Sequence, residues 1–500
     1  MVHPLLYEIN TRCWLRELSE KAGERILLGT VPETEFHHWR RLGFTHIWLM
    51  GVWRTGPLCR QHALRHWERQ KLSDASLAEF REEDVLGSPY AIAEYQVARS
   101  LGGETGLKEF RRKLRRHGLR LILDFIPNHL GLDHSWISAR PGLFVQSRAR
   151  RKEAIGRQSS LGKKWFAHGK DPYFPAWTDT VQLDYRRAET RSAMIEALQS
   201  VADRCDGVRC DMAMLLLNET FAKTWQTFPC PAPVPATEFW AEAIDSVRRL
   251  HPGFLFLAEA YWGLEAELQR LGFDFTYDKR FYDHLLSRSP AQVHQHVMNA
   301  EPEFISRSAH FLENHDEPRI ASLLSLPEHR AASLLLLGLP GMRLLHEGQL
   351  AGARRFAPVQ MGRRLPEPPQ SEIAALYEKT LALIQATAIG RGHADVLKTR
   401  RVWTDNPTAE NFVVVQWQTA WPTFDLVVVN LAGHRSQCCV QPSLRGLAAQ
   451  DWQMTDLLEE ECGLCRGPEL QARGLYLDLP EHGAQLLHFQ PGNGPWQVMT

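Results

Sequence analysis

Between Tyr7 and Leu345, short apolar runs recur, each followed by a polar or amphipathic stretch. They are Tyr7 to Asn10, Thr45 to Met50, Leu119 to Ile126, Gly207 to Cys210, Gly253 to Ala258, Phe273 to Tyr277, Ala309 to Leu312 and Gly341 to Leu345. An apolar run bounded by glycine turns reads as a strand covered on both faces, where no polar alternation is needed. Helix-period segments lie between them: Glu33 to Leu42 ended by Gly43, Lys108 to His117 ended by Gly118, and Glu189 to Arg204. This alternation predicts an α/β chain closed into a parallel (β/α)8 TIM barrel.

Two intervals break the rhythm. Residues 51–89 form a long polar insertion after the second strand, and residues 130–185 a longer one, rich in aromatics (WFAHGKDPYFPAW), after the third. Long loops at the C-terminal face of a barrel shape a substrate site. Beyond about residue 395 the pattern changes to short β-type runs (NFVVVQWQ, FDLVVVNL, SQCCVQ, LYLDL, AQLLHF) separated by Pro, Gly and Asn. The expected organisation is a barrel from residues 1–129 and 186–392, a loop-rich inserted domain at 130–185, and a C-terminal antiparallel β-sandwich at 393–500.

Composition narrows the function classes. At 500 residues, two or three domains are expected. Lys plus Arg equals Asp plus Glu at 58 each, so no long-range pull toward nucleic acid or an anionic membrane is expected. The segment MVHPLLYEINTRCWLREL lacks a basic region followed by an apolar one, and no apolar run is long enough to span a bilayer. Nine scattered cysteines fit reduced thiols, so a cytoplasmic location is expected. Cys462 and Cys465 form a CxxC, with Cys438 and Cys439 upstream, and a zinc site is the alternative to ordinary thiols in a β-rich domain. The 16 Trp suit stacking on sugar rings, although most indoles in a large chain fill the core.

Four of the apolar runs end abruptly in polar residues: LILDFIPNH (Leu121 to His129), DGVRCDMA (Asp206 to Ala213), FLFLAEAYW (Phe254 to Trp262) and FLENHDEPR (Phe311 to Arg319). Strand residues i and i+2 face the same way, so Arg209 and Asp211 point together into the barrel mouth. A guanidinium beside Asp211 is expected to keep it ionised, as a nucleophile requires. Glu259 ends an apolar strand, where partial burial would raise its pKa and let it hold a proton. Asp316 follows Asn314 and His315, and Asp124, Asn128 and His129 end the earlier strand. Three acids at one mouth suit glycoside cleavage through an oxocarbenium-like transition state. Each acid alone could instead cap a following helix. Four such ends in barrel order favour a catalytic rim.

These patterns, DxxxNH, GxRxD, a Glu after an apolar strand, and NHD, resemble in order the four signature regions of the α-amylase superfamily, glycoside hydrolase family 13. The likeness extends over essentially the whole chain. It implies Asp211 as nucleophile, Glu259 as general acid/base and Asp316 as the residue that binds ring hydroxyls and stabilises the transition state. It implies that Arg209 orients Asp211, that His129 and His315 donate hydrogen bonds to bound glucose, and that Tyr90 (in GSPY) is an aromatic platform under the sugar. Asp124 joins this substrate-binding set. By the same likeness the 130–185 insertion is domain B, with Gln182-Leu183-Asp184 as its fifth motif, and the C-terminal sandwich is domain C.

The resemblance implies no cofactor for the chemistry. Asn128 matches a position that binds structural calcium in many relatives; a plain hydrogen-bonding Asn is the alternative. Endo-α-amylases follow the nucleophile with a Lys-His pair, where this chain has Met214 and Leu215. That departure turns the expectation from starch-degrading endo-amylase toward soluble glucans or oligosaccharides. The expected activity is α-retaining hydrolysis of α-glucosidic bonds, with glucan transfer, disaccharide isomerisation and maltosyl transfer as alternatives. A catalytically dead scaffold and an unrelated metal-dependent barrel are the readings from other classes. The basic run Lys108 to His117 reads as a solvated outer helix, and SRARRK (Ser147 to Lys152) as a surface that could meet an anionic acceptor.

Overall fold

The computed structural model describes residues 3–72 and 75–492. Residues 73 and 74 of the first insertion and the last eight of the C-terminal segment lie outside the described residues.

Eight parallel strands close a barrel: β1 (Leu5–Asn10), β2 (His46–Met50), β3 (Arg120–Phe125), β4 (Gly207–Cys210), β5 (Leu255–Ala258), β6 (Phe275–Tyr277), β7 (Ser308–Phe311) and β8 (Met342–His346). Each pairs in register with its neighbour in sequence, and β8 closes on β1. All eight expected runs are strands, with ends displaced by a residue or two. Gly253 shows why: its φ of +80° puts it in a turn, so β5 begins only at Leu255.

The outer helices follow their apolar stripes. Helix Gly103–Arg116 buries Leu107, Phe110 and Leu114 and turns its basic face outward. Two of those cations, Arg111 and Arg115, each reach Asp206 at 2.8 Å, tying the helix to the foot of β4. Helix Leu326–Gly338 is buried throughout from Ala331 onward because it is covered on both sides, by the barrel and by the C-terminal sheet. Its glycine end is needed there: a Cβ on Gly338 would come within 2.6 Å of Val427 in that sheet.

The first insertion carries the helix Pro57–Gln70 and the strand Trp53–Thr55, which pairs antiparallel with Ile92–Val97 just beyond it. The second is more structured than a loop. Strands Gln146–Ser147, Ala154–Ser159 and Gly162–Ala167 make a small antiparallel sheet, and His129–Gly131 pairs with Thr180–Gln182 to draw its two ends together. Short runs with Lys, Arg and Gly hide such a sheet from a periodicity reading. Arg151 of SRARRK donates to the Thr227 carbonyl at 3.0 Å and lies 4.7 Å over Phe228, so it ties this insertion to the barrel.

The C-terminal segment forms a six-stranded and a three-stranded antiparallel sheet face to face. Phe412, Val414, Phe424, Leu426 and Val428 fill the space between them, while Val413, Val415, Trp417, Val427 and Val429 on the other face join the barrel core. The uninterrupted apolar runs therefore reflect a sheet buried on both faces. All nine cysteines are free. Among the described residues no three His, Cys, Asp or Glu side chains converge as a metal site, and no helix is long and apolar enough to cross a membrane.

Candidate active site

The acids collect where the barrel strands end. Asp211 immediately follows β4, Glu259 immediately follows β5, and Asp316 lies in the turn after β7. Arg209, the third residue of β4, is buried beneath them. Its Nη1 donates to Asp211 Oδ1 at 2.7 Å and its Nη2 lies 2.8 Å from Glu259 Oε2. One planar guanidinium thus holds both carboxylates, where the sequence suggested it served Asp211 alone. Its charge sits within 6 Å of the Trp48, Tyr90 and Tyr277 rings, which exclude water around it.

Burial raises the pKa of Asp211 despite Arg209, and this corrects the expectation that the guanidinium alone depresses it. Burial, with the Asp211 and Asp316 charges, also raises Glu259. A single cation cannot offset two buried carboxylates, so the pair favours holding a proton. Glu259 is further fixed by the Met212 N–H at 2.6 Å and the Tyr261 hydroxyl at 2.8 Å. Met212 takes φ +44°, ψ +46°, a left-handed conformation that costs about 1–3 kcal/mol at a non-glycine residue and here aims its N–H at Glu259.

Asp316 is half exposed at the mouth. Burial acts to raise it, but the His315 imidazolium and its hydrogen bond outweigh that and leave its pKa low. His315 Nε2 lies 3.0 Å from Asp316 Oδ2 and 2.7 Å from the Tyr90 hydroxyl, and its ring stacks on Tyr90 at 5.4 Å. Its other nitrogen, Nδ1, is hydrogen-bonded to the buried Glu8 of β1.

Asp124, Asn128 and His129 lie on β3 and the residues just after it. His129 is buried beside Trp177 (5.0 Å between rings), and burial lowers its pKa to about 4, so it is neutral. Asp124 is buried, in register with Arg209 on the neighbouring strand. Its oxygens accept from Trp48 Nε1 at 3.2 Å and the Gly51 N–H at 2.9 Å, bracing β3 against β2. Asn128 Oδ1 accepts from the Gln182 amide at 2.9 Å, and that amide also bonds the Asn128 carbonyl. With its oxygen so engaged and no acid cluster beside it, Asn128 does not fit a calcium site; it joins β3 to the end of the insertion. Met214 and Leu215 are buried in the core and offer nothing to a sugar.

Three contributors were not anticipated. Glu8 was hidden in a plain strand, although an acid in the run LLYEIN was a usable signal. Tyr261 lies two residues past Glu259 and shares its face. Trp262 takes φ +66° and stands half exposed with its ring 4.9 Å from that of exposed Tyr173 in the insertion. This aromatic pair bridges the insertion to the turn after Glu259, and only the folded chain brings it together.

The Glu8 contact makes a prediction. Burial alone would lower the His315 pKa, yet Asp316 and Glu8 together raise it well above its ordinary value. Glu8→Gln removes one of those charges, so His315 should lose its proton at lower pH. The His315 ring resonances, followed by NMR against pH, should titrate lower by about one unit or more. An unmoved His315 titration would show that Glu8 only packs.

A family model described as alpha amylase, catalytic domain, matches residues 36–375. The Haloarcula japonica protein named alpha-amylase MalA is 24% identical over 281 residues, 55% of this chain and 38% of that protein. The Pseudomonas aeruginosa alpha-1,4-glucan:maltose-1-phosphate maltosyltransferase is 29% identical over 198 residues, 38% of this chain and 25% of that one. This chain thus spans well under half the length of these relatives. Among solved structures, a maltogenic alpha-amylase from Thermotoga neapolitana superposes with a TM-score of 0.66 at 19% identity, covering 97% of this chain and 98% of that one. An alpha-amylase from Geobacillus thermoleovorans, complexed with acarbose, does so with a TM-score of 0.64 at 17% identity, covering 97% and 98%. At these identities the superpositions establish the fold, while the model matched over most of the barrel establishes that this chain belongs to the alpha-amylase catalytic-domain family.

Proposed function

We propose that this protein cleaves α-glucosidic bonds of oligosaccharides or soluble α-glucans with retention of configuration, through a glycosyl–enzyme intermediate on Asp211. The observation that carries the reading is the single guanidinium of Arg209 shared by Asp211 and Glu259. It keeps two carboxyl groups close, as a retaining pair about 5–5.5 Å apart requires. Burial that raises both pKa values favours one shared proton, on Glu259, with Asp211 ionised. Asp211 attacks the anomeric carbon while Glu259 gives its proton to the departing glycosidic oxygen. Glu259 then takes a proton from water, whose oxygen displaces Asp211. Asp316, held by His315, binds ring hydroxyls, and Tyr90 lies under the ring. The scheme needs no metal or cofactor. Free thiols throughout the chain suit a reducing compartment, and we place the enzyme in the cytoplasm.

The test is incubation with maltose, maltotriose, trehalose, sucrose and glycogen, with and without phosphate, with the first-formed anomer read by NMR. An α-product released first supports the proposal, and a β-product overturns it.

A second reading, glycosyl transfer to a sugar, gains support from Tyr173 and Trp262. Exposed aromatic faces beside the proton donor suit an acceptor sugar on the leaving-group side. Trp262→Ala should lower the ratio of transfer to hydrolysis products by about five- to tenfold, with little change in hydrolysis of a short aryl glycoside. An unchanged ratio removes the aromatic pair from acceptor binding.

A further inference from the structure

The turn between strands Phe412–Gln418 and Phe424–Asn430 of the C-terminal domain carries Trp421, whose indole is 53% exposed. A tight connection between two long strands needs no indole, and leaving one in water forfeits the gain of burying it. The ring is nonetheless fixed. Its edge stands on buried Trp452, with centroids 5.9 Å apart and planes at 84°. Gly446, at φ +75°, passes close by, and a Cβ there would lie 3.5 Å from the indole.

The ring borders an open depression of about 670 Å³ lined also by His393, Gln418, Ser443 and Arg445. The side chains of Gln418, Ser443 and Arg445 hold no protein partner among the described residues. One flat apolar face ringed by neutral and cationic hydrogen-bonding groups matches the chemistry of a pyranose, whose C–H face stacks while its hydroxyls bond sideways. It does not match a protein-docking surface, which would present a contiguous apolar patch.

The depression also lies away from the acids. Trp417, on the strand that leads into this turn, packs edge-on against His3 at 4.9 Å, and His3 lies two residues before the start of β1. The Trp421 turn is therefore at the end of the barrel opposite the mouth.

We propose that this depression is a second carbohydrate-binding site, in which a glucosyl unit of an α-glucan chain lies on Trp421 and is hydrogen-bonded by Gln418, Ser443 and Arg445. The choice of glucan rests on the proposed function; the site itself rests on the depression. It would hold a polymer while the barrel acts on a free end, and it would leave short substrates unaffected.

Affinity electrophoresis of the full chain through gels containing glycogen tests this, with Trp421→Ala, Trp421→Phe and Arg445→Ala compared after matching their unfolding midpoints. Wild-type retardation should weaken about five- to tenfold in Trp421→Ala, partly return in Trp421→Phe, and weaken in Arg445→Ala. The kcat/KM for maltotriose should stay within about twofold of wild type in all three. Equal retardation of wild type and Trp421→Ala, or no retardation of wild type, overturns the site. Failure of wild type to act on any glucan overturns the proposed function instead, and the retardation still decides the site.

Discussion

Asp211→Asn should lower kcat on maltotriose by about 10⁴- to 10⁶-fold while leaving the fold intact. The amide is nearly isosteric and can still accept from Arg209 Nη1, so the 2.7 Å contact survives in altered form. It cannot attack the anomeric carbon. At about 1.4 kcal/mol per decade, the loss corresponds to roughly 6–8 kcal/mol of barrier. Steady-state rates, with circular dichroism as the control, read the effect. Adding azide to Asp211→Ala should restore turnover and yield an inverted glycosyl azide, because the small anion enters from the face the carboxylate vacates. Activity within tenfold of wild type for both variants would remove Asp211 from the chemistry and return the scaffold reading to contention.

Arg209→Met should damage both stability and activity. Among the described residues Arg209 is the one cation paired with Asp211 and Glu259, and its Nη1 lies 4.0 Å from Asp124. Removing one partner from a buried ion pair costs about 3–5 kcal/mol, because the remaining charge is left uncompensated. The pH dependence gives the sign. Asp211 and Glu259 already have raised pKa values, and loss of the guanidinium raises them further. A carboxyl whose folded pKa is raised stabilises the fold in acid and withdraws that contribution as pH rises through the folded value. The stability deficit of Arg209→Met should therefore be largest near pH 8 and shrink toward pH 4, as followed by denaturant unfolding. Residual activity should require a higher pH than wild type, since Asp211 must ionise without help. A deficit independent of pH would mean that Arg209 acts by packing alone.

The alternatives separate on the same variants. A hydrolase and a transferase share the Asp211 step and differ only in what resolves the intermediate. The Trp262→Ala product ratio proposed above asks whether Tyr173 and Trp262, which lie beyond the acids, bear on that step. Met214 and Leu215, which stand where an endo-amylase carries a Lys-His pair, are buried and contribute packing.

Much of the barrel was legible because its signals are short-range. Glycine turns such as Gly118 and Gly253, and apolar runs such as LILDF and FLFLA, carry their own structural preference within a few residues. The i, i+2 geometry of Arg209 and Asp211 is equally local, and it held at 2.7 Å. The small sheet at Gln146–Ser147, Ala154–Ser159 and Gly162–Ala167 was not legible, since its stability comes from cross-strand pairs and from packing on neighbours. The partners of Asp124 were not legible for a related reason. Strand periodicity shows which way a side chain points but not how deep it lies, and depth set its partners as Trp48 and Gly51.

By itself, then, the sequence determined the barrel, the C-terminal sandwich and the three acids at strand ends, because strand period, turn chemistry and residue type act within a handful of positions. Only the tertiary structure decided that one guanidinium serves two acids, and that Glu8 holds a histidine 307 residues away. It alone decided that Trp262 meets Tyr173, and that Trp421 stays outside the core. Those outcomes depend on closing the barrel and burying charge, and both are properties of the packed chain as a whole.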